Sequence, residues 1–246
     1  MIAPRIGILI QARSNSTRLP GKIYLGLPEN GDRAQIEHVY RRMLRVPGVA
    51  IVSLIVPEND LRLIQWCRIH RVEHFVGSEL DVRERYRAAT RHYGLDVVVR
   101  ATGDNPCVDP VLAGEAVAAM RSGEYDLFSF CNLPLGCAVE VFQSAALMSE
   151  LVAARPEHRE HVSLHIKHNA DIFRVSHPTH ALGSNRLAPG TPRVTVDTAE
   201  DLSVVRALFS RLGPDFGVRE ILSLYEREPE LFSTNALVEQ RVFAKR

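Results

Sequence analysis

Five apolar runs of strand length, at residues 5–12, 50–56, 72–76, 96–101 and 125–130, alternate with four stretches of helical periodicity at 35–46, 60–70, 80–93 and 110–120. That alternation limits the possible folds more than any other feature of the chain. Two neighbouring parallel strands need a crossover of a dozen or more residues, and a helix with one apolar face supplies it. The first half is therefore expected to form a parallel sheet covered by helices. Beyond residue 130 the rhythm breaks. Extended runs are expected at 138–142, 172–176 and 193–196, and helices at 144–154, 157–169, 199–212 and 218–226, an α+β arrangement.

With 246 residues, 46% of them hydrophobic, the chain can bury one substantial core. A single domain over 1–246 is expected, with the change of rhythm dividing it at about residue 130. Thirty basic residues against 29 acidic ones leave a formal net charge of +1, so no global field draws in nucleic acid or an anionic membrane. No run approaches the roughly 18 uninterrupted apolar residues of a membrane span, and the expected location is cytoplasmic. Cys67, Cys107, Cys131 and Cys137 form no CxxC pair and read as reduced thiols.

Ligands of open parallel sheets collect beyond the carboxyl ends of the strands, which directs attention to the loops after the first and fourth strands. The first, QARSNSTRLPGK, gathers Arg13, Arg18 and Lys22 with Ser14, Ser16, Thr17 and Gly21. Such a set of cations and donors suits a polyphosphate, the alternative being a solvated basic turn. A P-loop is excluded, because Ser16 stands where that motif needs its first glycine and Ile23 where it needs Ser or Thr. The second loop, TGDNPCVDP, delivers Asp104 to the carboxyl edge of the sheet, ahead of Pro106, whose ring restricts Asn105 to extended conformations. A carboxylate held there can bind Mg²⁺ or cap a turn. Cations on the terminal phosphates and a metal on the phosphate under attack are what nucleotidyl transfer requires. A further carboxylate, Asp197, ends the extended run in RVTVDTAEDL, where it is either a second metal ligand or part of a helix start at Thr198.

His158, His161, His165 and His168 are spaced to lie along one face of the helix expected at 157–169. Such a stripe rises about 15 Å, too far for four side chains to meet on one ion, so the face is expected to line an acceptor pocket or a subunit contact. Cys107 has no His or second Cys at a readable spacing and reads as a packed side chain, as does Trp66.

The segments QARSNSTRLPGK, DVRERY, RATGDNPCVDP, VEVF, REHVSLHI and RVTVDTAEDL, in that order, resemble the cytidylyltransferase superfamily. The likeness is greatest to its spore coat polysaccharide biosynthesis protein SpsF branch, which is related to the CMP-Kdo and CMP-sialic acid synthetases, and it spans residues 5 to about 210. It implies an α/β, nucleotide-diphospho-sugar transferase-like (GT-A-like) fold, a three-layer sandwich with a mostly parallel central sheet, as a single nucleotidyltransferase domain with a nucleotide-binding half at about 1–130 and an acceptor and dimerisation half at about 131–246. It also implies Mg²⁺-dependent transfer of CMP from CTP to a sugar or sugar-acid acceptor, with release of pyrophosphate, in surface glycan synthesis. By the same resemblance, Arg13 and Lys22 bind the triphosphate with Ser16, Thr17 and Arg18 beside them, and Asp104 and Asp197 hold the metal. Asp81 matches an aspartate near the nucleotide, unless with Val82 and Tyr86 it packs a helix end.

Many relatives read PDGLDVE where this chain reads PLGCAVE, so Leu135 and Ala138 replace two acidic positions while Glu140 remains. Glu140, Arg159, Glu160 and His161 are the acceptor candidates, and the resemblance implies a homodimer formed through about 133–180. Two rival functions share these features. One is a GT-A glycosyltransferase, which usually carries a DxD motif where this chain has GDNP; the other is a non-catalytic nucleotide-binding subunit.

Overall fold

The apolar runs of the first half pair into the core of one sheet. The computed structural model describes residues 3–152, 155–183 and 192–240. In chain order the first half forms β1 (Ile6–Gln11), α1 (Gln35–Met43), β2 (Ile51–Pro57), α2 (Leu61–Ile69), β3 (His74–Gly77), α3 (Val82–Tyr93), β4 (Val97–Thr102), α4 (Pro110–Met120) and β5 (Leu127–Phe128). The second half adds β6 (Glu140–Gln143), α5 (Ser144–Met148), α6 (Glu157–Glu160), α7 (Leu164–Lys167), β7 (Val175–Ser176), α8 (Ala199–Leu212), α9 (Val218–Arg227) and α10 (Pro229–Ser233).

Among the described residues the sheet has seven strands in the order β3-β2-β1-β4-β6-β5-β7. β3, β2, β1 and β4 run parallel, with Ile8 in register with Val52 on one side and Val99 on the other. β6 runs antiparallel to both β4 and β5. The result is the mostly parallel α/β sheet that the sequence implied, and it joins both halves of the chain.

Strand alternation divides the core into layers. Ile6, Ile8 and Ile10 face α1, α2 and α4 and pack with Ile36, Val39, Met43, Leu63 and Val117. Leu9, Ile55 and Val98 face the other way, onto Tyr86 and Ala89 of α3 and onto Phe142, Leu147 and Ile166. A further cluster joins Leu112, Leu133 and Cys137 to Val194, Val196 and the apolar faces of α8 and α9. At roughly 1.5–3 kcal/mol per fully buried large aliphatic side chain, burial of this kind is the dominant favourable term of the fold.

The second half departs from expectation in three places. The helix expected at 157–169 is interrupted at His161, whose φ of −105° and ψ of 89° are not helical, so the four histidines do not share one helix face. The interruption follows from tertiary hydrogen bonding: Ser163, in the break, donates to Glu140 on β6 at 2.7 Å. Of the helix expected at 144–154, of which residues 153 and 154 lie outside the described residues, only the five residues of α5 are helical. The extended run at 193–196 makes a single isolated bridge, Arg193 with Leu135, rather than a strand of the sheet. Instead Val194 donates its N–H to the Leu135 carbonyl and Val196 donates to the Asp104 carbonyl, each at 2.8 Å. Those bonds stitch the chain before α8 to the loop between β5 and β6 and to the loop after β4. No helix among the described residues is long and apolar enough to cross a membrane.

Candidate active site

β1 ends at Gln11 and the chain enters its basic loop, which is pinned from the side. Ser14 donates its backbone N–H and its hydroxyl to the two carboxylate oxygens of Asp60 at 2.6 and 2.7 Å, and shares a 2.5 Å hydrogen bond with the Tyr24 hydroxyl. Asp60 is also the N-cap of α2, accepting from the Leu63 N–H. Gly21 turns the loop with a φ of 69°, a left-handed conformation that disfavours side chains. The chain then forms a short 3₁₀ turn, Lys22–Tyr24, which buries the Lys22 stem.

The loop after β4 is set against the first one by a close approach. A Cβ on Gly103 would lie 3.0 Å from the Ile36 side chain and 3.2 Å from Ala12, so the glycine lets β4 leave the sheet tight against the β1 end. The Gln35 amide of α1 donates to the Gly103 carbonyl at 2.8 Å and holds that turn. Asp104 follows at the carboxyl edge of the sheet, as expected.

These constraints bring three distant segments to one point. The Lys22 side chain is only 5% exposed; its ammonium donates to Oδ1 of Asp197 at 3.0 Å and to the Val196 carbonyl at 2.6 Å, and forms an ion pair with Oδ1 of Asp104 at 3.0 Å. Asp197 also receives Arg18 at 2.9 Å on Oδ1 and Arg193 at 2.8 Å on Oδ2. Burial opposes the Asp197 charge, but Lys22, Arg18 and Arg193 outweigh it and hold its carboxyl below the usual range. Asp104 differs. Its side chain is 43% exposed at the mouth of the site, and crowding by the surrounding protein pushes its carboxyl up, against the opposing pull of Lys22.

The geometry separates the two roles considered for Asp197. Helix α8 starts at Thr198, whose hydroxyl accepts from the Asp201 N–H while the Asp201 carboxylate accepts from the Thr198 N–H, a complete capping box. The cap duties therefore fall to Thr198 and Asp201, and the Asp197 carboxylate turns instead to the cations. Arg193 bridges it to the fully buried Asp201.

The other sequence candidates divide. Arg13 is exposed and makes no side-chain hydrogen bond or ion pair among the described residues, though its charge is felt at Asp104. Ser16 accepts the Leu19 N–H at 3.3 Å, and Thr17 is exposed in the same loop. Asp81 is the N-cap of α3, accepting the Glu84 N–H at 2.8 Å, with the exposed Arg159 3.9 Å away.

Beside Asn105 opens a cleft of about 300 Å³ between Arg100 and Thr102 on one side and the loop from Ser129 to Glu140 on the other. Glu140 stands opposite Arg100 in the β4–β6 ladder and accepts from it at 3.1 Å, from Ser163 at 2.7 Å and from Lys167. Burial works against its charge, yet Arg100 and then Lys167 hold its carboxyl down at about 2. His161 feels these same charges; burial pushes its imidazole down, as it does His165, which reaches about 4 while its Nε2 bonds the Ala146 carbonyl. Glu160 is exposed, and Arg159 faces Asp81. The four acceptor candidates thus do not form one group.

Sequence reasoning missed Arg100, Ser163 and Lys167 around Glu140, and Arg193 and Asp201 behind Asp197. One signal was available: the 30 basic residues include only three lysines, Lys22, Lys167 and Lys245, and two of them hold these carboxylates. All four cysteines are free, and burial pushes the Cys107 thiol up to about 12, in keeping with a packed side chain. Trp66 is partly buried against the core and stacks on His70.

Comparison with known proteins places these features in a family context. The sequence profile described as cytidylyltransferase matches residues 7–195. An uncharacterised protein of Methanocaldococcus jannaschii is 32% identical over 246 residues, covering 97% of both chains. The spore coat polysaccharide biosynthesis protein SpsF of Bacillus subtilis is 31% identical over 229 residues, 90% of this chain and 94% of its own. A cytidylyltransferase structure from Leptospira borgpetersenii shares the fold with a TM-score of 0.82 at 24% identity, over 98% of this chain and all of that one.

Proposed function

This chain belongs to the cytidylyltransferase family, and from that premise we propose that it transfers CMP from CTP to a sugar or sugar-acid acceptor, releasing pyrophosphate. The observation that carries this reading is the meeting of Lys22, Asp104 and Asp197, contributed by three segments, at the carboxyl edge of the sheet. In the reaction an acceptor oxygen forms a bond to the α-phosphorus while the bond from that phosphorus to the departing pyrophosphate breaks. Arg13, Arg18 and Lys22 are assigned to the β- and γ-phosphates, whose negative charge grows as pyrophosphate leaves, with Ser16 and Thr17 as added donors. Asp81, at the start of α3, is assigned to the nucleotide side.

The donor chemistry of the pair fits a divalent cation, which we assign as Mg²⁺. Asp104 and Asp197 both turn an Oδ1 toward one point and offer the hard oxygen ligands that Mg²⁺ prefers. Among the described residues no group of three or more His, Cys, Asp or Glu side chains could hold a metal, so the remaining ligands fall to phosphate oxygens and water. When bound, the ion would neutralise charge on the phosphate under attack. The acceptor is assigned to the cleft lined by Arg100, Asn105 and Glu140, with His161, which feels the charges of Arg100, Glu140 and Glu160, as a further candidate, whereas Arg159 lines a separate pocket with Asp81. A homodimer through 133–180 and a cytoplasmic location complete the proposal. The family membership favours this reading over glycosyl transfer or a non-catalytic subunit.

The deciding experiment is a nucleotide panel. CTP with Mg²⁺ should raise the melting temperature more than ATP, GTP or UTP does, because a ligand that binds only the folded state stabilises it by mass action. An equal response to all four, or the largest response to a sugar nucleotide, contradicts the proposal.

A further inference from the structure

The Lys22 ammonium donates hydrogen bonds to Asp197 and to the Val196 carbonyl, and its charge also pairs with Asp104 at 3.0 Å. Its charge is therefore committed to the two carboxylates before any phosphate arrives. The partners are unequal. Asp197 keeps Arg18 and Arg193 if Lys22 moves away, whereas Lys22 is the only ion-pair partner of Asp104 among the described residues. Asp104 is also the open member of the group, 43% exposed against 13% for Asp197.

An ammonium is a compact point charge, unlike the planar fork of a guanidinium. In a chain that uses arginine for nearly all its basic positions, a lysine stands at the one point that both carboxylates face. That is also the point a cation bridging the two carboxylates would take. Two positive charges cannot share it, since their repulsion rises steeply at short range in a partly buried site.

We propose that Lys22 is an exchangeable counter-ion of the Asp104–Asp197 pair and sets the order in which the site loads. The triphosphate first draws the ammonium off the carboxylates, and only then does the pair accept a divalent cation. Phosphate oxygens replace carboxylate oxygens as partners of the ammonium, so the exchange leaves no buried charge unpaired. Arg13, exposed and without a side-chain partner among the described residues, is placed to engage the triphosphate before Lys22 moves. Lys22 is then a positioning residue for the metal as well as a phosphate ligand. This inference rests on the assignment of Asp104 and Asp197 as metal ligands.

The test reads metal binding directly. Mn²⁺ is titrated without nucleotide, followed by water-proton relaxation, into the parent, Lys22→Met, and Lys22→Met combined with Asp104→Asn. Lys22→Met, which keeps the stem and removes the charge, should bind Mn²⁺ roughly tenfold or more tightly than the parent, and the double variant should lose that gain. A purely structural lysine would not produce tighter binding on removal. With only three lysines, the parent offers a second readout: the side-chain ¹³C resonance of Lys22 should move on addition of CTP without metal and stay in place with Mg²⁺ alone. If Lys22→Met binds Mn²⁺ no better than the parent, or the Lys22 resonance answers to Mg²⁺ alone, the exchange is overturned. In either case Asp104-dependent Mn²⁺ binding by the parent with CTP would leave the metal assignment standing. If the parent shows no Asp104-dependent Mn²⁺ binding even with CTP, the metal assignment falls and the exchange falls with it.

Discussion

Two lysines in this arginine-rich chain each hold carboxylates, and the surroundings of those carboxylates differ. Glu140 accepts from Arg100, Ser163 and Lys167 and is 17% exposed. Asp104 has Lys22 as its one ion-pair partner among the described residues and is 43% exposed. The first arrangement joins a strand of the central sheet to the segment after α6 and has little capacity for new partners. The second can trade one partner for another at small cost. Charge and residue type do not separate a fold-holding carboxylate from an exchangeable one; the number of partners and the access of solvent do.

The largest effect should come from the open member. Asp104→Asn keeps size and part of the hydrogen bonding but loses charge, and pyrophosphate release should fall roughly a hundredfold or more, equivalent to about 2.7 kcal/mol of barrier. Thermal unfolding should stay near that of the parent. Asp197→Asn should lower both release and melting temperature, because Lys22, Arg18 and Arg193 all lose a charged partner. Equal melting temperatures for the two variants would erase the distinction between an exposed carboxylate and an anchored one.

Glu140→Gln probes the saturated side. Removing one member of a buried ion network typically costs about 3–5 kcal/mol, and urea unfolding at pH 7 should show a loss of that order. The acid dependence sharpens the test. Because the folded-state value lies at about 2, below the ordinary 4.5, the Glu140 contribution is full above pH 4.5 and is lost as pH falls toward 2. The gap between parent and variant should therefore narrow across that window. A gap that keeps its size from pH 7 to pH 2 would mean that the charge of Glu140 is not what holds the junction.

The smallest effect is expected at Arg13. Arg13→Ala should weaken CTP binding about tenfold by calorimetry, with unchanged thermal stability, since no side-chain partner among the described residues depends on it. A stability loss comparable to that of Glu140→Gln would place Arg13 with the structural cations instead.

Much of this was legible before any coordinates. β1 to β4 and the helices α1 to α4 lie where apolar periodicity put them: β1, β2 and β4 are buried on both faces and the helices on one, which leaves a strong pattern in the residues, while β3 at the sheet edge is only partly buried. Asp104 and Lys22 were legible through their place at strand ends. The second half was less so. The helix expected at 157–169 has a sound local pattern, yet Ser163 and Lys167 find a better partner in Glu140, more than twenty residues earlier in sequence, and the helix breaks.

By itself the sequence determined the parallel half of the sheet, the two loops that emerge at its carboxyl edge and the family to which the chain belongs, since all three are written in local patterns and short motifs. Only the tertiary structure decided that Asp197 faces cations while Thr198 and Asp201 start the helix, that Lys22 joins two carboxylates, and that Glu140 is saturated. Those outcomes depend on pairs 22–104, 22–197, 100–140 and 140–167, brought together by sheet order and loop packing, and the energy of a charged group depends on which opposite charges and how much water lie within a few ångströms of it.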